Sequence, residues 1–202
     1  SALDDAVSDR MVEFLRTRLD SVDAVVVSDY ENGVINPRLV RTVLPGEGER
    51  ELMVAVDSHG DLFRFRGATV ATPNQPEAEA TLHRQIDSLA ELENAGDELL
   101  RGMEAEAVLI TRGSEGMSLF TSEQAPLHLP PSNLREVFDP TGAGDTTCAV
   151  FALALLSGAS HRDAALLSSV AAGEVVKRLG ATALNRQELA AAFEAAAGPT
   201  GT

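Results

Sequence analysis

The run Asp139-Pro140-Thr141-Gly142-Ala143-Gly144-Asp145 places three small residues directly before a carboxylate, at the head of an apolar stretch. Backbone N–H groups flanked by glycine can approach phosphate oxygens closely, and a helix start adds a modest attraction for negative charge. A carboxylate there binds phosphate poorly but can accept the proton of an attacking hydroxyl. The chemistry implied is phosphoryl transfer. The same residues also suit a plain strand-to-helix turn with Asp145 as a first-turn acid, and the motif by itself does not choose between the two.

The elements needed to position this turn can be read on either side of it. Glu136-Val137-Phe138 reads as a strand end, Gly142, Ala143 and Gly144 as the turn, and 146–157, rich in Ala, Leu and Val, as a buried helix. Upstream, apolar residues near the helical period predict a helix over 1–18. Short continuous apolar runs at 24–28, 52–56, 68–72 and 107–111 predict strands buried on both faces, with Asp29 at the mouth of the first. Asn36-Pro37 opens a helix to about residue 44, closed by Pro45-Gly46-Glu47-Gly48. Helices are expected over 76–84, 88–103, 161–178 and 186–197. A turn at 112–116 leads into a strand at 117–121, followed by short strands and turns to 138. If the strands are parallel, their C-terminal ends form one functional edge. The expectation is an α/β fold in one unit spanning 1–202, with a Rossmann-like, mostly parallel sheet flanked by helices.

Composition narrows the partners. With 16 Lys and Arg against 31 Asp and Glu, the net charge of -15 disfavours nonspecific nucleic-acid or anionic-membrane binding. The single cysteine, Cys148, can form neither an internal disulfide nor a metal cluster, and reads as a small core residue. No apolar run approaches the roughly 20 residues of a membrane span and no leader is visible, so a cytoplasmic address is expected. His59 and His128 read as surface or loop residues without metal-ligand spacing.

Four segments, in order, resemble the C-terminal portion of the ribokinase-like, or PfkB, carbohydrate kinases. They are Ser28-Asp29-Tyr30-Glu31-Asn32-Gly33, Thr72-Pro73-Asn74-Gln75-Pro76-Glu77, Thr111-Arg112-Gly113-Ser114-Glu115-Gly116 and Asp139 through Asp145. Within the family the chain is most similar to members that phosphorylate D-glycero-D-manno-heptose 7-phosphate in ADP-heptose biosynthesis. That likeness rests on 65–69, 111–120, 125–130 and 142–146.

The resemblance implies a ribokinase-like fold and an ATP-dependent sugar kinase using Mg²⁺. Asp145 matches the catalytic base, and the amides of Gly142, Ala143 and Gly144 match the anion hole. Asn74 and Glu77 match the Asn-x-x-Glu motif that organises Mg²⁺ and phosphates, partly through water; read from the residues alone, the pair also suits a helix capping box. Thr111, Gly113 and Gly116 match the nucleotide-side turn, or otherwise a hairpin turn. Ser169 matches a further nucleotide-side position, and Asp29 is assigned to the substrate side. Asp139 and Thr141, with the region of Gly180, match a monovalent-cation loop, implying K⁺.

The chain departs from the family pattern in several places. Family members carry N-terminal strands, sugar-binding residues and a β-strand lid before the equivalent of Val25. These are expected to be absent here, which leaves activity of the isolated chain open. An exposed sheet edge would result, inviting a homo-oligomer or a separate N-terminal fragment as partner. Asn32 and His59 stand where lysines are common in heptose-kinase-like sequences, and Ser169 where asparagine is frequent. A noncatalytic nucleotide-binding or regulatory module therefore stays open beside the kinase. A dinucleotide oxidoreductase is disfavoured, since no Gly-x-Gly-x-x-Gly follows an early strand.

Overall fold

Uninterrupted runs of Val, Ala, Leu and Ile suit strands covered on both faces. The computed structural model describes residues 3–44, 46, 52–132, 139–180 and 182–197 and bears this out for the strands at 53–58, 70–71 and 107–111, whereas the strand at 24–29 leaves Val26 exposed. β1 (Ala24–Asp29), β2 (Met53–Ser58), β3 (Val70–Ala71) and β4 (Ala107–Thr111) pair in parallel. β5 (Met117–Thr121) and β6 (Leu127–Leu129) continue the sheet antiparallel, in the spatial order β1-β2-β3-β4-β5-β6. The helices are α1 (Asp5–Arg18), α2 (Pro37–Val43), α3 (Gln75–Leu82), α4 (Leu89–Met103), α5 (Ala143–Leu156), α6 (His161–Val175) and α7 (Arg186–Ala197).

The period-2 alternation of the strands sorts side chains onto two cores. Val54, Val56, Val108 and Ile110 pack with α2 and α4 through Val40, Val43, Leu92 and Leu99. Ala55, Val70, Ala107 and Leu109 pack on the opposite face with Phe151 and Ala152 of α5 and Ala164 and Ala165 of α6. Sequential parallel strands with crossovers of one hand place their connecting helices on one side. The other side is left for α5 and α6, and α5 enters against β1 and β2.

Several boundaries differ from the sequence expectation. β3 has two residues rather than five, because its flanks make other bonds: the Thr69 hydroxyl accepts from Val54 N–H, and Thr72 N–H donates to the Val56 carbonyl. α5 begins at Ala143, so Ala143, Gly144 and Asp145 form its first turn and only Gly142 stays outside as N-cap, at φ +83°. Alanine favours the helix, and glycine at the cap takes the left-handed φ without strain. α6 stops at Val175, and a turn from Arg178 N–H to the Val175 carbonyl follows. The expected strand end at 136–138 and the stop residues Pro45, Glu47 and Gly48 lie outside the described residues. Among the described residues, no helix is long and apolar enough to cross a membrane.

Among the described residues β1 is one edge strand of the sheet and β6 the other. Val26 of β1 is exposed, as are Leu153 and Leu156 of α5.

Candidate active site

Parity decides what β1 and β2 present at their C-terminal ends. Val25, Val27 and Asp29 share the face toward α2, whereas Ser28 and Tyr30 turn toward α5. Ser28 is the register partner of Asp57, and Asp29 of Ser58. On the α5 face, Ser28 Oγ donates to Asp145 Oδ1 at 3.2 Å and Tyr30 Oη to Asp145 Oδ2 at 2.7 Å. The Tyr30 ring stacks on His59 with centroids 4.9 Å apart, and His59 Nδ1 lies 3.4 Å from Glu77 Oε1. A Cβ at Gly144 would stand 3.7 Å from Asp57 Oδ2, which sets that carboxylate against the first turn of α5. Burial, and then the charges of Glu77 and Asp145, push Asp57 up to about 6.

Asp29 faces the other way and is not on this rim. It is 2 % exposed; Arg64 Nη1 and Ser58 Oγ reach its Oδ2 at 3.2 and 3.3 Å, and Glu31 N–H donates to Oδ1 at 3.0 Å. Arg64 also donates to the Ile35 carbonyl. Asp29 thus anchors the segment after β1, and it is its neighbours Ser28 and Tyr30, not the expected Asp29, that face Asp145.

Asn74 and Glu77 form a complete capping box at the start of α3. Asn74 Oδ1 accepts from Glu77 N–H at 2.9 Å, and Glu77 Oε2 accepts from Asn74 N–H at 2.7 Å. Glu77 is buried, and that burial raises its pKa against the lowering effect of the Asn74 bonds and of His59. The pair is therefore both a cap and one wall of an acidic rim with Asp57 and Asp145.

Thr111, Gly113 and Gly116 come together with Ala143, Gly144 and Ser169 around one cavity of about 420 Å³, closed by Met117, Pro131, Ala172 and Val176. Ser169 is buried on α6, and its carbonyl accepts from Ser132 Oγ at 2.7 Å. Positions 143, 144 and 147 of α5 face the cavity, while Asp145 points to β1 and β2. The tip of α5 stands between the two, and Gly142 gives it no side-chain cap; the Ala143 N–H donates to the Pro140 carbonyl at 3.2 Å, so of the expected anion hole it is the amide beyond it, that of Gly144, that is offered to a ligand.

Asp139, Thr141 and Gly180 are also brought together. Asp139 Oδ1 accepts from Thr141 N–H at 2.9 Å and Oδ2 from Gly180 N–H at 3.0 Å, and the Thr141 and Gly180 bonds hold its carboxyl below the usual range.

Among the described residues, no three His, Cys, Asp or Glu side chains converge tightly enough to cage a metal directly. The rim carboxylates still fit a hydrated divalent cation, because Asp57 and Glu77 are both partly desolvated and the charge of Glu77 bears on Asp57, a burden that positive charge relieves. Cys148 is buried and its thiol is pushed up to about 12 by desolvation, in keeping with an inert core residue. His128 lies in β6 rather than a loop, between Ser118 Oγ at 2.9 Å and Glu93 Oε1 at 3.2 Å. That order of groups suggests a nucleophilic triad, but Ser118 is wholly buried and reaches no substrate. The sequence reading missed Ser28, Tyr30, Asp57 and His59 as rim residues, though strand parity with the core-packed Val25 and Val27 would have found the first two.

A profile described as pfkB family carbohydrate kinase matches residues 43–188. The bifunctional protein HldE of Geobacter metallireducens is 42% identical over 182 residues, covering 90% of this chain and 37% of that protein. HldE of Caulobacter vibrioides is 42% identical over 187 residues, covering 92% and 38%. The chain thus spans well under half the length of these curated relatives. Phosphofructokinase-2 from Escherichia coli in complex with potassium superposes with a TM-score of 0.82 at 18% identity, over 97% of this chain and 64% of that one. Arabidopsis thaliana ribokinase complexed with ribose and ATP gives 0.75 at 23% identity, over 92% and 59%. These two likenesses speak for the fold.

Proposed function

The chain belongs to the pfkB family of carbohydrate kinases, and from that footing we propose that it is the nucleotide-binding and catalytic portion of an ATP-dependent kinase for a sugar or sugar phosphate hydroxyl. One observation carries the reading: the first turn of α5 has a glycine-walled cavity on one side and the Asp145 carboxylate on the other. In this reading the nucleotide lies against Thr111, Gly113, Gly116 and Ser169. Its terminal phosphate meets the amides after Gly142. Asp145 orients the acceptor hydroxyl and takes its proton as the phosphoryl group is transferred. Asp57, Glu77 and Asn74 would hold hydrated Mg²⁺, which when bound neutralises phosphate charge.

For the acceptor we favour a heptose 7-phosphate, on the resemblance of 65–69, 116–119 and 125–130 to enzymes of ADP-heptose formation. Asp139, Thr141 and the backbone near Gly180 suit a K⁺ ion that stiffens the loop before α5. A cytoplasmic address, where ATP is at hand, accompanies this reading. The outer edge of β1, with Val26, Leu153 and Leu156 exposed beside it, suits pairing with a second copy of the chain. Sedimentation of a well-folded monomer at micromolar concentration would argue against that pairing.

The test is calorimetric titration of ATP with and without Mg²⁺, followed by phosphoryl transfer to heptose 7-phosphate. Asp145→Asn should bind ATP within about twofold of the parent and lose roughly 100-fold or more of transfer. Unchanged transfer would remove Asp145 from its role. A second reading, a nucleotide-binding module without turnover, is favoured by the two protein hydroxyls that already occupy both oxygens of Asp145. Tight ATP binding with no transfer to any sugar would support it.

A further inference from the structure

The chain has one tyrosine, and its hydroxyl makes the hydrogen bond that the proposed mechanism assigns to a substrate. Tyr30 Oη donates to Asp145 Oδ2 at 2.7 Å, a shorter contact than the 3.2 Å from Ser28 Oγ to Oδ1. The phenol reaches the carboxylate from the open side, since Tyr30 is 55% exposed. Its ring rests on His59, which is itself held near Glu77. The side chain is therefore positioned by rim residues rather than locked in the core.

We propose that, with Mg²⁺ and ATP bound and no sugar in place, the chain phosphorylates its own Tyr30. The inference rests on the kinase reading above and uses the same base. Tyr30 Oη forms a new bond to the γ-phosphorus as the bond from that phosphorus to the β,γ-bridging oxygen breaks. The phenolic proton passes along the existing hydrogen bond to Asp145 Oδ2, and ADP leaves. A tyrosine hydroxyl, with an ordinary pKa of about 10, gives up its proton more readily than an aliphatic hydroxyl. The hydrogen bond and negative charge of Asp145 raise the Tyr30 pKa, so the proton leaves during transfer rather than beforehand, which is the circumstance in which a general base helps. Ser28 is the weaker candidate, because its short side chain is fixed on β1 and its contact is longer.

The experiment incubates the 202-residue chain with Mg²⁺ and γ-labelled ATP, measures nucleotide binding in the same preparation, and maps the label by peptide mass spectrometry. The expected result is phosphotyrosine at residue 30, reduced at least about 100-fold in Asp145→Asn and absent in Tyr30→Phe, with ATP binding retained in both. Bound ATP with no label, label on Ser28, or label undiminished in Asp145→Asn overturns the proposal and leaves nucleotide binding standing. Absence of ATP binding overturns both readings. The wild-type measurement decides by itself should either variant fold poorly.

Discussion

Asn74 is tied to Thr111 by a parallel β-bridge beyond the last paired residues of β3 and β4, with the Thr111 N–H donating to the Pro73 carbonyl at 2.9 Å. The bridge makes one edge of two motifs that lie well apart in the sequence, the capping box of α3 and the glycine turn at 112–116. Asn74→Ala removes the Oδ1 acceptor of Glu77 N–H and should lower stability by about 1 kcal/mol, the usual worth of an N-cap. Urea denaturation should show a lower midpoint with an unchanged slope. If the midpoint does not move, the bridge and not the cap fixes this edge.

Gly116 and Gly113 flank the same turn but should respond differently to alanine. At Gly116, φ is +86° and an added Cβ would stand 2.0 Å from the Leu129 carbonyl oxygen, backbone that cannot step aside. Gly113 also has positive φ, +54°, but an added Cβ meets nothing within 4 Å. Gly113→Ala should cost about 1 kcal/mol, from the left-handed backbone alone. Gly116→Ala should cost more, about 3 kcal/mol or above, since strain and clash add. Thermal melts of the two variants side by side would check the order, and equal losses would contradict it.

Much of the fold was legible in the sequence because burial on both faces leaves an unbroken apolar signature. The strands at 107–111 and 117–121 and the helix at 186–197 stand where the pattern put them. β3 was overestimated because Thr69 and Thr72 at its flanks, residue types that suit a strand, make hydrogen bonds outside the regular ladder. The glycines of the 112–116 turn were legible through the backbone conformations they permit. The rim around Asp145 was not, because Asp29 draws attention as a charged residue at a strand end, while only its register with Ser58 and its bond to Arg64 reveal that it faces inward.

Arg64 should accordingly matter to folding more than a partly exposed surface arginine does. Its guanidinium is the cationic partner of Asp29, which is 2 % exposed. Arg64→Met keeps much of the side-chain volume but leaves a buried carboxylate with only Ser58 and the Glu31 amide as donors. Loss of one partner of a buried pair costs about 3 kcal/mol. The double variant Arg64→Met/Asp29→Asn should regain part of that loss, because no buried charge remains. Failure of the second substitution to recover stability would show that Arg64 acts through packing or through the Ile35 carbonyl.

Asp57 gives the site its own pH dependence. The folded chain holds its carboxyl at about 6, above the ordinary value of 3.8, chiefly through burial and then through Glu77 and Asp145. Between those two values the folded state keeps a proton that the unfolded state has released, so stability falls as pH rises through this window. A shift of about two pH units corresponds to about 3 kcal/mol at most. Asp57→Asn removes the penalty. It should be more stable than the parent above pH ~7, with the advantage shrinking through the window and vanishing below pH ~4. The difference between the two proteins in urea denaturation across pH isolates this residue from other titrating groups. Mg²⁺ should stabilise the parent more than Asp57→Asn at pH ~8, because it offsets the same repulsion from outside. A pH-independent difference between the two proteins would mean that Asp57 is not strained by its neighbours, and the acidic rim would then lose its claim to a cation.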